Sequence, residues 1–506
     1  MKRRAFIGSA LTSAAAAALP ARHILAAADQ QFYLQGATKI VTDVNVVTLN
    51  NDTTVIERAV LQELQESLRG NILLPAHDGY DDARKVWNGM IDKRPALIVQ
   101  CLGPADVMNA VHLARDYNLL TAVRGGGHNV AGKGVCEGGI VIDCSNMTSV
   151  SVDPFAKTCR VEPGVLLGAV DHECQLFGLG TPAGVVSHTG AAGLTLGGGF
   201  GRLSRIYGLT CDNVNHFDLV TPSGEFKRVS AEQNPDLFWG LRGGGGNFGV
   251  VTSFEYKLYD VGTEFLHGTF MFPINQAREV LTFFAEFEIA APRELQVSSN
   301  VIMLPGGKGF AQIGVFYIGD PVQGEKLLEP LRKFGKPLNE DIGMSKYVDI
   351  QRRTDLNTPH GRRYYQKAGF FNEVQPALID AMVEVAADPK PFQTTMIFSQ
   401  VGGGIKDVPN DATAYANREA QQQMVFSGAW PKPIEEEQEY IARIRKNWDT
   451  MAPFTNGVYT NNMMGDEGQK KVITNYGANY DRLTALKNEY DPTNLFRLNV
   501  NVEPTV

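Results

Sequence analysis

The sequence predicts an α+β fold, and three observations carry the prediction. A strand, a helix and a second strand follow one another between residues 95 and 123; three glycine clusters lie among short β-branched runs between Arg124 and Gly249; beyond Asp260 strands alternate with amphipathic helices while the glycines thin out. Each element has a local reason. Residues 95–99 form a short apolar run suited to a buried strand. Residues 104–117 carry Pro104 in the first turn, where a missing N–H costs nothing, and place Val107, Ala110, Val111 and Ala114 on one helix face. Residues 119–123 supply the returning strand of a βαβ unit. Upstream, residues 29–54 read as β-rich and residues 55–68 as a helix. Residues 140–143, 150–152 and 158–161 are β-branched runs, so the loop Arg124-Gly125-Gly126-Gly127-His128-Asn129 joins strand to strand. A strand is expected at residues 250–258. Helices are expected at 277–288, 324–334, 434–451 and 480–489, the last stopped by Asp491-Pro492.

The 52 glycines are about 10% of the 506 residues against a usual ~7%, and the three clusters, at 125–127, 190–201 and 243–249, hold much of the excess. Backbone without side chains can approach a large ligand closely and turn its N–H groups toward phosphate oxygens; three tight turns are the alternative. Two nucleotide motifs are near misses. Gly127 to Lys133 almost matches the Walker pattern, but Gly134 stands where Ser or Thr would hold magnesium, and no helix is expected to follow. Gly178, Gly180 and Gly184 have the wrong last spacing for a dinucleotide fingerprint and enclose Pro182.

Lys2, Arg3 and Arg4 precede an Ala-rich apolar run at residues 5–19, and Ala26, Ala27 and Ala28 offer small residues to a peptidase, which predicts a signal peptide over residues 1–28. The run is too short to span a bilayer with stable flanks, which leaves an uncleaved membrane anchor as the lesser alternative, and no membrane span is expected in the mature chain. Arg3-Arg4 with Phe6 and Ile7 resembles a twin-arginine signal, which implies export of an already folded protein to the periplasm or beyond; an ordinary Sec signal is the alternative. A net charge of −8 disfavours nucleic acid and anionic lipid and points to a small-molecule partner. Six cysteines lie between Cys101 and Cys211 with no C-x-x-C pair, so they read as buried thiols or as disulfides of unknown pairing. The nine histidines show no H-E-x-x-H or similar spacing, and no metal site is expected.

Taken together, residues 124–129, residues 189–201, Tyr207-Gly-Leu-Thr-Cys-Asp212-Asn213, residues 239–249 and the tail from Tyr476 through Tyr480 to Asn501 resemble a bacterial berberine-bridge-enzyme-like FAD-linked oxidase of the vanillyl-alcohol-oxidase, PCMH-type superfamily. The resemblance covers nearly all of the chain after residue 54. It implies a PCMH-type FAD-binding domain split in sequence, with residues 29–258 completed by a C-terminal segment at 456–506 that also completes the active site. Between them it implies an antiparallel-sheet substrate domain flanked by helices at 259–455.

In that family the histidine of the R-[SG]-G-G-H motif bonds to the 8α-methyl of the flavin, and the matching residue is His128; neutral imidazole suits that nucleophilic task near pH 7. Many members add a cysteine eleven residues before the first glycine of the G-G-G-[FY]-G loop. Counting back from Gly197 reaches Val186, which cannot form the link, so the resemblance implies FAD attached through His128 only. Thr189 stands where relatives place the residue that gates oxygen, which implies O2 as acceptor. The remaining FAD contacts implied are Arg124, Gly125, Gly126, Gly127 and Asn129 in the first loop, Gly190, Gly193, Leu194, Gly198 and Gly199 in the second, and Asn213, Val251, Asn499 and Asn501. His188, beside the second loop, either faces substrate or is a satisfied polar residue.

Tyr459-Thr460-Asn461 resembles the family's Y-x-N motif and implies Tyr459 as general base with Asn461 beside it. A phenol of ordinary pKa ~10 is a poor base at neutral pH unless donors stabilise its anion. The activity implied is hydride transfer from a C–H next to OH or N to flavin N5, with reoxidation by O2 to H2O2, on a sugar, alcohol, amine or alkaloid-like molecule. A dehydrogenase with another acceptor, and a non-catalytic flavin- or carbohydrate-binding protein, are the alternatives.

Overall fold

The computed structural model describes residues 39–506, so the leader expected at residues 1–28 lies outside the described residues. A hairpin, β1 (Val44–Val47) with β2 (Thr53–Ile56), comes first. The helix expected from residue 55 begins later, at Arg58–Ser67, because the β-branched Val55 and Ile56 pair with Asn45 and Val44.

β3 (Asn71–Leu73), β4 (Leu97–Gln100), β5 (Thr121–Arg124) and β6 (Ile140–Asp143) form a sheet in the order β3-β4-β6-β5. The helix Pro104–Asp116 connects β4 to β5 as expected, but the two strands are not neighbours: β6 lies between them and pairs in parallel with both. β4 and β6 carry unbroken apolar runs because a parallel strand is covered on both faces. The glycine loop leaves β5 at its carboxyl end, the end at which ligand crevices form in open α/β sheets.

β7 (Val150–Asp153), β8 (Thr158–Val161), β10 (Val214–Val220), β11 (Phe226–Ser230) and β12 (Val250–Lys257) make a second sheet, antiparallel, ordered β11-β10-β12-β8-β7. The short β9 (Leu179–Gly180) pairs with β13 (Tyr259–Asp260). All six cysteines are buried and free.

The largest sheet is antiparallel throughout and contains β14 (Glu264–Pro273), β15 (Leu295–Met303), β16 (Gly309–Tyr317), β17 (Asn339–Lys346), β18 (Arg363–Phe371), β19 (Gln393–Gln400) and β20 (Gln422–Trp430), ordered β17-β14-β16-β15-β19-β20-β18. Its strands alternate. Val297, Val301, Met396 and Phe398 face a core that includes residues of the helices Ala277–Ala290, Pro376–Ala387 and Glu437–Met451. The opposite face carries Gln296, Ser298, Asn300, Thr395, Ser399 and Gln423, and its amides reach the loops of the other sheets: Gln296 donates to Gly201 O, and Gln366 and Gln423 donate to Asn462. The single helix expected at 324–334 is two, Pro321–Leu327 and Glu329–Lys333, because Pro330 has no N–H to continue the ladder.

His267 on β14 supplies a test of this packing. Burial, with Arg202 and Arg353 nearby, lowers its pKa to about 3, so the folded ring stays neutral while the unfolded one titrates near 6.5. Above pH 6.5 both states are neutral and no pH dependence arises. Below it only the unfolded chain binds the proton, so stability is lost as pH falls toward 3, at up to about 1.4 kcal/mol per pH unit. In urea titrations between pH 6.5 and 4, His267→Gln is expected to show a shallower loss than wild type; an equal slope would place the titration elsewhere.

Candidate active site

The first two glycine loops, the start of β12 and the C-terminal tail line one cleft, with Arg124, His128, Thr189, Gly193, Asn461 and Asn499 in its wall. The loops touch backbone to backbone. A Cβ on Gly126 would stand 2.5 Å from Gly190 Cα, and one on Gly190 would stand 2.7 Å from Gly126 N, so only glycine closes this contact. At Gly193 and Gly246, also in the wall, a Cβ would meet nothing within 4 Å; these two keep the cleft open. Gly127 adopts a left-handed φ of 65°. The N–H groups of Gly126, Gly127, His128 and Asn129 donate to no protein acceptor among the described residues. Such a run of free N–H groups is a nest for phosphate oxygens.

His128 stacks on Trp87, ring centroids 4.5 Å apart, and Trp87 stacks on Tyr364 at 4.1 Å. Its Nε2 lies 3.0 Å from Nδ1 of His188, and the His188 ring stands 4.7 Å from that of His360. Burial, then the two neighbouring imidazoles, push the His128 pKa down to about 3, so the ring is neutral. Arg124 lies 3.9 Å from Asp143, with its Nε and Nη1 buried and without a hydrogen-bond partner.

Tyr459 is 5% exposed, and its oxygen accepts from Gly199 N–H at 3.0 Å and from Asn461 Nδ2 at 2.7 Å. Thr460 Oγ1 donates to Gly197 O and Asn461 Nδ2 to Leu194 O, which pins this segment to the second glycine loop. Gly199 sits at φ 78°, where a side chain would also strike Thr210, so glycine is what lets its N–H face the phenol. Burial raises the Tyr459 pKa, while the two donors work against that rise.

A family profile described as an FAD binding domain matches residues 95–230, and one described as berberine and berberine like matches residues 458–503. An FAD-linked oxidoreductase of Dictyostelium discoideum is 34% identical over 453 residues, covering 88% of this chain and 97% of that protein. The chain belongs to the berberine-bridge-enzyme-like FAD-linked oxidases. The crystal structure of 6-hydroxy-D-nicotine oxidase from Arthrobacter nicotinovorans superposes with a TM-score of 0.80 at 26% identity, over 86% of this chain and 98% of that one. Glucooligosaccharide oxidase from Acremonium strictum, described with a 6-S-cysteinyl, 8α-N1-histidyl FAD, gives a TM-score of 0.80 at 23% identity, over 88% and 99%.

FAD suits this oxidoreductase's cleft on its own chemistry. The free N–H groups at 126–129 fit a pyrophosphate, and the side-chain-free wall at Gly193 and Gly246 leaves room for it. Arg124 brings two unpartnered buried nitrogens, and Asn499 an unpartnered buried side-chain amide oxygen, Oδ1. Of the FAD contacts expected from sequence, Arg124, Gly125, Gly126, Gly127, His128, Asn129, Thr189, Gly190, Gly193, Leu194, Val251 and Asn499 line the cleft.

The other expected contacts stand off the cleft wall. Val186 has its carbonyl accepting from Thr189 N. Gly198 and Gly199 back the cleft, against Tyr415 and Thr210. Asn213 ties Tyr207, Leu209 and Tyr259 together. Asn501 contacts Gln469 through its carbonyl. Sequence reasoning missed Trp87 and His360, which reach His128 only through tertiary packing, Tyr364 stacked behind Trp87, and the role of Lys133, whose Nζ donates to Asn499 O at 2.5 Å and staples the first loop to the tail.

Proposed function

We propose that the chain is an exported oxidase that removes a hydride from a carbon bearing oxygen or nitrogen, holds its FAD by one covalent bond at His128, and returns the electrons to O2 as H2O2. Residues 29–258 and 456–506 then serve the flavin, and residues 259–455 serve the substrate. One observation carries the catalytic part. Two N–H donors converge on the Tyr459 oxygen while its own proton has no protein acceptor among the described residues, the arrangement of a phenol prepared to become phenolate.

Bound FAD supplies the hydride acceptor; the chain supplies the rest. Asn461 and the Gly199 N–H stabilise Tyr459 as phenolate, the phenolate takes the O–H or N–H proton as hydride leaves the neighbouring carbon and so becomes a neutral phenol, and Gln366 and Gln423 hold Asn462 beside them. Valine at 186 leaves His128 as the single attachment point. The substrate class follows that of the relatives, one of which oxidises 6-hydroxy-D-nicotine and another glucooligosaccharides. A peroxide-coupled screen of sugars, amines and phenolic alcohols tests the reading: one substrate that yields peroxide supports it. Flavin that bleaches anaerobically yet yields no peroxide in air identifies a dehydrogenase. Flavin that no candidate bleaches counts against catalysis.

A further inference from the structure

We infer that His188 is the proton acceptor for His128 when the flavin becomes covalently attached, and so a positioning residue for that self-modification; the inference rests on the attachment proposed above. The contact between His128 Nε2 and His188 Nδ1, 3.0 Å, needs one hydrogen between two ring nitrogens. With that hydrogen on His128 Nε2, the Nδ1 lone pair is free to react, and Trp87, stacked on the ring at an interplanar angle of 16°, fixes the ring plane. Bond formation at Nδ1 would leave an imidazolium at a site where burial and two imidazoles oppose charge, unless the Nε2 proton departs.

His188 is placed to receive it. Burial lowers its pKa, as it does that of His128, but Asp355 and the Thr358 backbone work against that fall, whereas at His128 the neighbouring imidazoles of His188 and His360 add to it. Asp355 is itself held by the Ser187 N–H and hydroxyl, one residue before His188. The step balances. A C–H bond of the 8α-methyl breaks, its proton leaving and its electron pair passing into the ring system; the Nδ1 lone pair forms the N–C bond; the Nε2 proton goes to His188 Nδ1; and dioxygen takes the electron pair with two protons to become H2O2.

The test compares purified wild type, His188→Ala and His188→Asn. Total FAD per chain is read first, and then the flavin that stays in the pellet after acid precipitation. All three are expected to hold FAD in similar amount, with wild-type flavin in the pellet and at least nine-tenths of the flavin of either variant in the supernatant. Incubating His188→Ala with imidazole is expected to move flavin into the pellet, an effect that a mere packing role would not show; flavin that stays soluble overturns the proton-acceptor role. A wild-type pellet fraction in either variant overturns it as well. If His188→Ala holds no FAD, His188→Asn, which keeps a hydrogen-bonding atom near the place of Nδ1 but cannot take the proton, carries the same readings. Absence of FAD from both variants overturns the inference by making His188 a binding residue. Wild-type flavin found in the supernatant instead overturns the attachment at His128, so the wild-type pellet separates the two failures.

Discussion

Tyr459→Phe is expected to slow reduction of the flavin by about 10²–10⁴, roughly 3–5 kcal/mol of barrier, while substrate binding changes far less. The substitution keeps the ring in its apolar surround of Leu209, Phe370, Val401 and Ile405 and removes only the oxygen on which Gly199 N–H and Asn461 converge. Hydride leaves a carbinol or amine carbon readily only when the attached O–H or N–H proton also leaves, so loss of the acceptor falls on the chemical step. Stopped-flow reduction under anaerobic conditions reads it directly. A rate within a few-fold of wild type would move the base elsewhere, and Tyr365 is not the substitute, because its hydroxyl donates to Asp466 and accepts from Arg445 on the helical side of the large sheet.

Lys487→Met is expected to cost about 3–5 kcal/mol of stability. Lys487 and Asp491 are a fully buried pair, N to O 2.7 Å, and the ammonium also donates to Asn247 O and Phe496 O. Asp491 in turn accepts from the backbone N–H groups of Leu495 and Phe496. Methionine keeps the length of the side chain but leaves a buried carboxylate without its cation and two carbonyls without a donor. Since this knot sets the turn that carries Phe496 and Asn499 to the cleft wall, FAD retention is expected to fall with the urea midpoint. A midpoint shift worth less than about 1 kcal/mol would show that the pair adds little beyond packing.

The cleft was legible where its parts are contiguous in the chain. The glycine loops announce themselves within a dozen or so residues, because backbone that must approach a ligand or another backbone excludes side chains whatever the tertiary context, whereas Tyr459 with Asn461 and the tail were legible only through their resemblance to the family's motifs. The insertion of β6 between β4 and β5 was not legible: parallel pairing is decided by which strands share a doubly covered layer, and no local signal encodes that order. The break at Pro330 was available from the sequence and was overridden by helical periodicity on either side of it. The imidazole neighbours of His128 lie 60 residues away for His188 and farther for His360, so the electrostatics of the attachment site came only with the fold.

The most direct test of the account is the mass of the tryptic peptide spanning residues 125–133 from protein denatured after purification. This peptide, containing His128, is expected to carry FAD less two hydrogens, and the peptide containing Val186 is expected to carry nothing. An unmodified 125–133 peptide, or flavin found on any other residue, would contradict it.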